Sequence, residues 1–242
     1  VLPLLTQCLD RPTKYITSLT LIIRIALIFV VVVMTYLVYR NRGFYFRLRS
    51  EVFDFFASWV VLSFSFALFM SPGPERLPLS LVYSSVGVGS AFILHELAHR
   101  QVARAYDLEA RYRAWYLGLL ITLAIALINT VAKLPVLFAA PGAVVIYGYW
   151  GHVNPLAELR VAESGPLTNI AVGITTWVVL MTIPSTPIVT DVLYYVMRIN
   201  AWIAFFNLLP LPPLDGFKIF RRSLIEWVVI FVASVAVLRL TA

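Results

Sequence analysis

Residues 79–104 read L-S-L-V-Y-S-S-V-G-V-G-S-A-F-I-L-H-E-L-A-H-R-Q-V-A-R. No charge interrupts the run before Glu96, and arginines follow at 100 and 104. An uncharged stretch of this kind approaches the roughly 20 apolar residues that carry a helix across a bilayer core. In a helix, positions i and i+4 share a face, so the imidazoles of His95 and His99 can reach one ion. Glu96 lies roughly 100° around from His95, which sets its carboxylate beside a metal-bound water without making it a ligand. Ser85, Gly87, Gly89 and Ala91 precede the motif and read as a surface for close helix packing.

Composition agrees with a membrane setting. Of 242 residues, 61% are hydrophobic and 13% charged, whereas soluble domains sit near 45–50% and 25%. Leu19 to Tyr39, Phe53 to Met70 and Ile170 to Ile183 are further runs of near-spanning length. The formal charge of +7 does not indicate nucleic-acid binding, because the basic residues lie between hydrophobic runs and act there as topology determinants. Cys8 is the only cysteine, so neither an internal disulfide nor a cysteine-based zinc site is available. The expected fold is an all-α polytopic membrane protein of about six transmembrane helices, one domain over 1–242. Within it, 16–70 form peripheral N-terminal helices, 79–222 the core and 223–242 a C-terminal helix. The first apolar stretch is too long for a signal-peptide core, so it is read as a span, and without a targeting peptide a prokaryotic cell membrane is the simplest setting.

Charge asymmetry orients the spans. Arg40, Arg42, Arg47 and Arg49 mark a cytoplasmic loop. Residues 16–39 then run inward, 53–70 outward to the turn Ser71-Pro72-Gly73-Pro74, and 79–104 inward again, which sets H-E-L-A-H towards the cytoplasmic end of its span. The run Pro166 to Ile183 leads into an external loop without Lys or Arg, so both ends of 114–165 are cytoplasmic. A hairpin or re-entrant segment is expected over 115–140, with Asn129, Lys133 and Pro135 near its bend; two extra crossings are the alternative. Within 141–148, P-G-A-V-V-I-Y-G is β-branched and bounded by glycine, which predicts a short strand or hairpin. Residues 190–209 cross inward, Pro210 to Pro213 break that helix, and 223–240 return outward.

A catalytic zinc ordinarily keeps three protein ligands and one open position, and two histidines leave one ligand to find. The candidates are His152 and the twelve acidic residues. Asp215 is the acidic residue at membrane depth that follows a proline-broken helix, and it is the preferred one; a cap or an ion pair with Lys218 or Arg221 is its alternative role. His152, in the polar stretch G-H-V-N-P, reads as an interfacial histidine.

Three signatures, H-E-L-A-H at 95–99, G-P-L-T-N at 165–169 and N-L-L-P-L-P-P-L-D-G at 207–216, occur in an order that resembles the site-2 protease family of intramembrane zinc metalloproteases. The resemblance covers roughly residues 80–222. It implies that the aspartate of L-D-G, here Asp215, completes a zinc site with His95 and His99. It also sets the asparagine of the second signature, Asn169, near the metal, where its amide can donate to a tetrahedral oxyanion. Phe217 stands where a second glycine often follows L-D-G. Family members commonly cleave membrane-bound regulators.

The expected activity is therefore peptide-bond hydrolysis with one zinc ion per chain, Glu96 as general base and then acid, and a transmembrane protein within the lipid bilayer as substrate. A substrate helix hides its backbone in its own hydrogen bonds and must unwind. The strand region, Val144, Val145 and Ile146 in particular, is expected to hold it by strand addition. No further soluble module for substrate selection is expected in the chain. A membrane zinc transporter or a non-catalytic metal-binding scaffold is the alternative, although a transporter usually distributes polar groups over several spans or shows an internal repeat, and neither is found here.

Overall fold

A computed structural model describes residues 51–132, 137–139, 141–147 and 154–241. Helix α1 spans Glu51–Met70, with Glu51 and Asp54 in its first turn, where acidic groups complement the helix dipole. It ends at the Pro-Gly-Pro turn, and Pro74 opens the next helical stretch, α2, Pro74–Ala105. A proline suits a first helical turn because its missing N–H would have no partner there. Inside α2 a π-helical segment, Gly89–Ile93, separates two α-helical parts, Leu77–Val88 and Leu94–Ala105.

Strand β1, Glu109–Ala114, and helix α3, Tyr116–Ala132, follow, and then strand β2, Gly142–Tyr147. The strands pair antiparallel, from Glu109 opposite Tyr147 to Ala114 opposite Gly142. Helix α4 covers Pro155–Thr182, capped by Asn154, whose Oδ1 accepts from the Leu156 amide at 2.9 Å. Helices α5, Pro187–Asn207, α6, Asp215–Arg222, and α7, Leu224–Leu240, complete the chain.

The described residues contain four helices long and apolar enough to cross a membrane: α1, α2, α4 and α5. The expected count of about six is not reached among them. The stretch 16–39 lies outside the described residues, and α3 and α7 run 17 residues each. Residues 116–132 form one continuous helix that includes Asn129; the bend expected near Asn129, Lys133 and Pro135 falls otherwise on 133–136, which lie outside the described residues. Helix α4 begins at Pro155 and runs through Pro166, which the sequence suggests as its start. A proline inside a membrane helix is tolerated where neighbours satisfy the freed backbone groups.

Burial is arranged as a bilayer requires. Large apolar side chains face outward, Leu120 at 64%, Met181 at 67% and Val229 at 62% exposure, while Asn169, Asn200, Ser58 and Ser65 are fully buried and hydrogen-bonded. With no water in the hydrocarbon region, polar groups must find partners inside the bundle, and apolar groups lose nothing by facing lipid. One apolar cluster joins Leu62 and Phe66 of α1, Phe92 of α2, Tyr112 of β1 and Ile199 of α5. A second joins Leu159 and Ala162 of α4, Ala204 of α5, Ile219 of α6 and Ile230 of α7.

Helix α1 also fixes the sheet. Glu51 Oε1 accepts the Tyr112 amide at 3.1 Å, Asp54 Oδ2 accepts the Ala114 amide at 3.3 Å, and Asp54 Oδ1 accepts the Tyr116 hydroxyl at 2.7 Å. The Tyr112 hydroxyl meets Ser58 at 2.8 Å, and its ring packs 4.4 Å from Phe55 and 5.3 Å from Phe92. The edge of β1 away from β2 is thus closed by carboxylates, and among the described residues no strand pairs with the other edge of β2. Replacing Asp54 by Ala removes the acceptor of the part-buried Ala114 amide, and a polar group left unpaired away from water costs about 1–3 kcal/mol. Asp54→Ala is expected to lower the unfolding midpoint in detergent clearly, and Asp191→Ala, at an exposed position, to leave it unchanged; equal midpoints for the two would contradict the anchoring role.

Candidate metal centre

His95 and His99 occupy one face of α2 one turn apart, with their rings edge to face and 4.6 Å between centroids. Both are buried, as are Glu96 and Asp215. Asp215 stands at the first position of α6, after the irregular segment that follows α5. Gly216 makes this approach possible, since any Cβ there would overlap the backbone of Leu208.

Three atoms converge. Asp215 Oδ2 lies 3.2 Å from His95 Nε2 and 3.0 Å from His99 Nε2, and the two Nε2 atoms are 3.0 Å apart. The opposite ring nitrogens determine where the imidazole protons sit. His99 Nδ1 lies 2.6 Å from the carbonyl of Val161, which only accepts. His95 Nδ1 lies 2.5 Å from Asn169 Oδ1. The Asn169 nitrogen is identified by its two acceptors, Ala91 O at 2.8 Å and Asn200 Oδ1 at 2.9 Å. Both histidines therefore carry a proton on Nδ1, and each in its neutral form presents an Nε2 lone pair to the carboxylate. Three acceptors facing one another repel unless a cation lies among them.

Zinc suits this set. Two neutral imidazoles and a carboxylate form a common catalytic donor set, and tetrahedral bonds of about 2.0–2.1 Å separate ligand atoms by roughly 3.3 Å. His95, His99 and Asp215 are a group of buried residues able to hold a metal ion. The second Asp215 oxygen, Oδ1, accepts from Lys218 Nζ at 2.8 Å, so the ion pair considered from the sequence coexists with the histidine contacts. Each of the three side chains is oriented by a partner, as metal sites generally require. Glu96 has a buried oxygen, Oε2, with no hydrogen-bond partner among the described residues.

The Val161 carbonyl of α4 accepts from His99 as well as from Ser164 at 2.7 Å. Gly165 leaves room in front of the rings: a Cβ there would come within 2.6 Å of His99 Nε2, His95 Nε2 and His95 Cε1.

Both amide hydrogens of Asn169 are engaged, by Ala91 O and Asn200 Oδ1, and its Oδ1 faces His95 Nδ1. Val144 of β2 packs with Ala103 of α2 and Val161 of α4, close to the histidine face, whereas His152 lies outside the described residues. Asn200, Ser90 and the Val161 carbonyl were not singled out from the sequence. A lone asparagine in the apolar run 199–206 was the available signal for Asn200, since a polar group at that depth must be engaged; a backbone carbonyl leaves no mark at all.

The comparisons with known proteins agree with this geometry. Residues 184–233 match the model of Peptidase family M50, a segment that contains α5, α6 and Asp215. A protein of Methanocaldococcus jannaschii named as a candidate zinc metalloprotease is 32% identical over 182 residues, covering 75% of this chain and 89% of that one. Rip3 of Mycobacterium tuberculosis, named in the same way, is 29% identical over 165 residues, which are 64% of this chain and 36% of Rip3. No solved structure matches. With the apolar helices and the metal-binding cluster, these likenesses define an integral-membrane zinc metalloprotease. The chain belongs to peptidase family M50, the site-2 protease family.

Gly165→Ala is expected to abolish stoichiometric zinc binding in the purified protein with little change in helix content, because the added methyl occupies the space between the rings. Full zinc content measured by elemental analysis of that variant would contradict the proposed position of the ion.

Proposed function

We propose that His95, His99 and Asp215 hold the zinc, that Glu96 is the catalytic base, and that the enzyme hydrolyses peptide bonds in or near transmembrane segments of membrane-protein substrates. The observation that carries this reading is the convergence of Nε2, Nε2 and Oδ2 with both imidazole protons directed away. Bound there, zinc acidifies a water and polarises the scissile carbonyl. Glu96 takes the proton of the attacking water and delivers it to the departing amine. Its unpartnered Oε2 supports this role, because a buried carboxylate oxygen is costly unless a bound molecule completes it. Asn169 serves as a positioning residue for His95.

The substrate is held as an added strand on the edge of β2 away from β1, at Val144, Val145 and Ile146. Support comes from the closure of β1's other edge by Glu51 and Asp54 and from the packing of Val144 beside Ala103 and Val161. Main-chain pairing opens a substrate helix without strict sequence demands. The site faces the cytoplasm of a prokaryotic cell. His95 and His99 lie near the C-terminal end of α2, and Arg100, Arg104, Arg111, Arg113, Arg221 and Arg222 follow the site residues closely in the chain, as the positive-inside rule requires.

Glu96→Gln is expected to lower cleavage of a reporter membrane helix by at least about a hundredfold while zinc content stays at one per chain. Equal cleavage by both proteins would sink the catalytic assignment. Proline placed singly at 144, 145 and 146 removes one main-chain donor at a time, and cleavage should fall where that donor faces outward, with zinc retained. If all three variants cut normally, strand addition is wrong.

A further inference from the structure

We propose that Asn200 is a positioning residue for the metal centre: its carboxamide fixes the orientation of Asn169 and, through it, the proton on His95 Nδ1. The inference rests on the reading of His95, His99 and Asp215 as zinc ligands. Asn200 is fully buried on α5 and touches no ligand atom directly. Its Oδ1 accepts from Asn169 at 2.9 Å, and its Nδ2 donates to Val196 O at 2.8 Å and to Ser90 Oγ at 3.0 Å.

The direction of every bond in this chain is determined. Ser90 directs its hydroxyl hydrogen to the Gly87 carbonyl at 2.8 Å, so its oxygen is open to receive the Asn200 nitrogen. The Asn200 oxygen must then face Asn169. Only the Asn169 nitrogen can meet that oxygen, which turns Oδ1 of Asn169 towards His95. An amide oxygen cannot donate, so His95 Nδ1 holds the proton. Three backbone carbonyls, at Gly87, Ala91 and Val196, anchor the arrangement, and reversing either amide would bring donor against donor and acceptor against acceptor.

A competing arrangement makes the relay consequential. Without it, His95 can carry its proton on Nε2 and donate to Asp215 Oδ2, 3.2 Å away, which removes the lone pair that a metal needs. The relay disfavours that tautomer before any ion arrives. The π-helical segment Gly89–Ile93 supplies both Ser90 and Ala91, and such wide turns occur frequently at functional sites. The motif H-E-L-A-H thus begins directly after the turn that sets the tautomer of its first histidine.

The test uses the full chain in detergent, with zinc affinity measured by chelator competition and the His95 tautomer read by 15N NMR on the metal-free, 15N-histidine-labelled protein, which has three histidines. Asn200→Leu is expected to weaken zinc binding about tenfold, in line with the 10–100-fold cost of losing outer partners in metal sites, and to shift His95 towards the Nε2–H tautomer. In an Asn169→Ala background the same substitution should change zinc affinity less than about twofold, because the connection to His95 is already cut. Wild-type affinity and tautomer in Asn200→Leu would overturn the proposal. So would an equal loss in both backgrounds, which is the mark of a merely structural residue. If Asn200→Leu does not fold, Ser90→Ala removes the acceptor at the end of the relay; a weakening of about threefold supports the proposal and none overturns it. His95→Ala separates the two levels. Tight zinc binding by that variant sinks the ligand reading itself, whereas lost binding together with an unaffected Asn200→Leu overturns the relay alone.

Discussion

Three proton acceptors held around one point are the constraint on which the rest of the bundle depends. Two imidazole nitrogens and a carboxylate oxygen within 3.2 Å of one another are unfavourable neighbours in a low-dielectric interior, where an unpaired polar group is most costly. The surrounding groups make them tolerable by fixing the protons on the outer side and by leaving space for a cation. Gly165 keeps that space open, Gly216 lets α6 reach it, and Lys218 occupies the carboxylate oxygen that does not face the histidines.

The helices can be understood as supports for this point. Helix α2 supplies His95 and His99 from one face, and its π-helical segment directs polar groups at 90 and 91 into the bundle. Helix α4 crosses behind them and contributes the backbone carbonyl of Val161. Helix α5 brings Asn200 and then breaks, so that Asp215 can begin a new helix with its side chain turned inward. On the other side α1 holds β1 through two carboxylates, so the sheet lies beside the same region of α2. Polar chemistry inside and apolar side chains outside are two consequences of one solvent, since lipid satisfies no hydrogen bond.

How much of this was legible in the sequence differs from element to element. Helix α1 and the C-terminal half of α2 were plain, because long uncharged runs and the i, i+4 histidines are local signals. Strand β2 was also local, being β-branched and bounded by glycine. Strand β1, E-A-R-Y-R-A, was not read as a strand although burial alternates along it; its partners are Glu51 and Asp54, some sixty positions earlier, and no local pattern reports them. Pro166 misled in the opposite direction, suggesting a helix start in the middle of α4. The proposed ligands were named from their own residue types, while the groups that orient them were not, because a buried asparagine and a carbonyl acquire meaning only through what they touch.

Zinc K-edge X-ray absorption on the purified, zinc-loaded protein tests the central claim most directly. A first shell of nitrogen and oxygen at about 2.0–2.1 Å, with outer-shell scattering from two imidazoles that disappears in His95→Ala together with the metal, is the predicted result. Zinc bound without imidazole scattering, or bound equally well after His95→Ala, would contradict it.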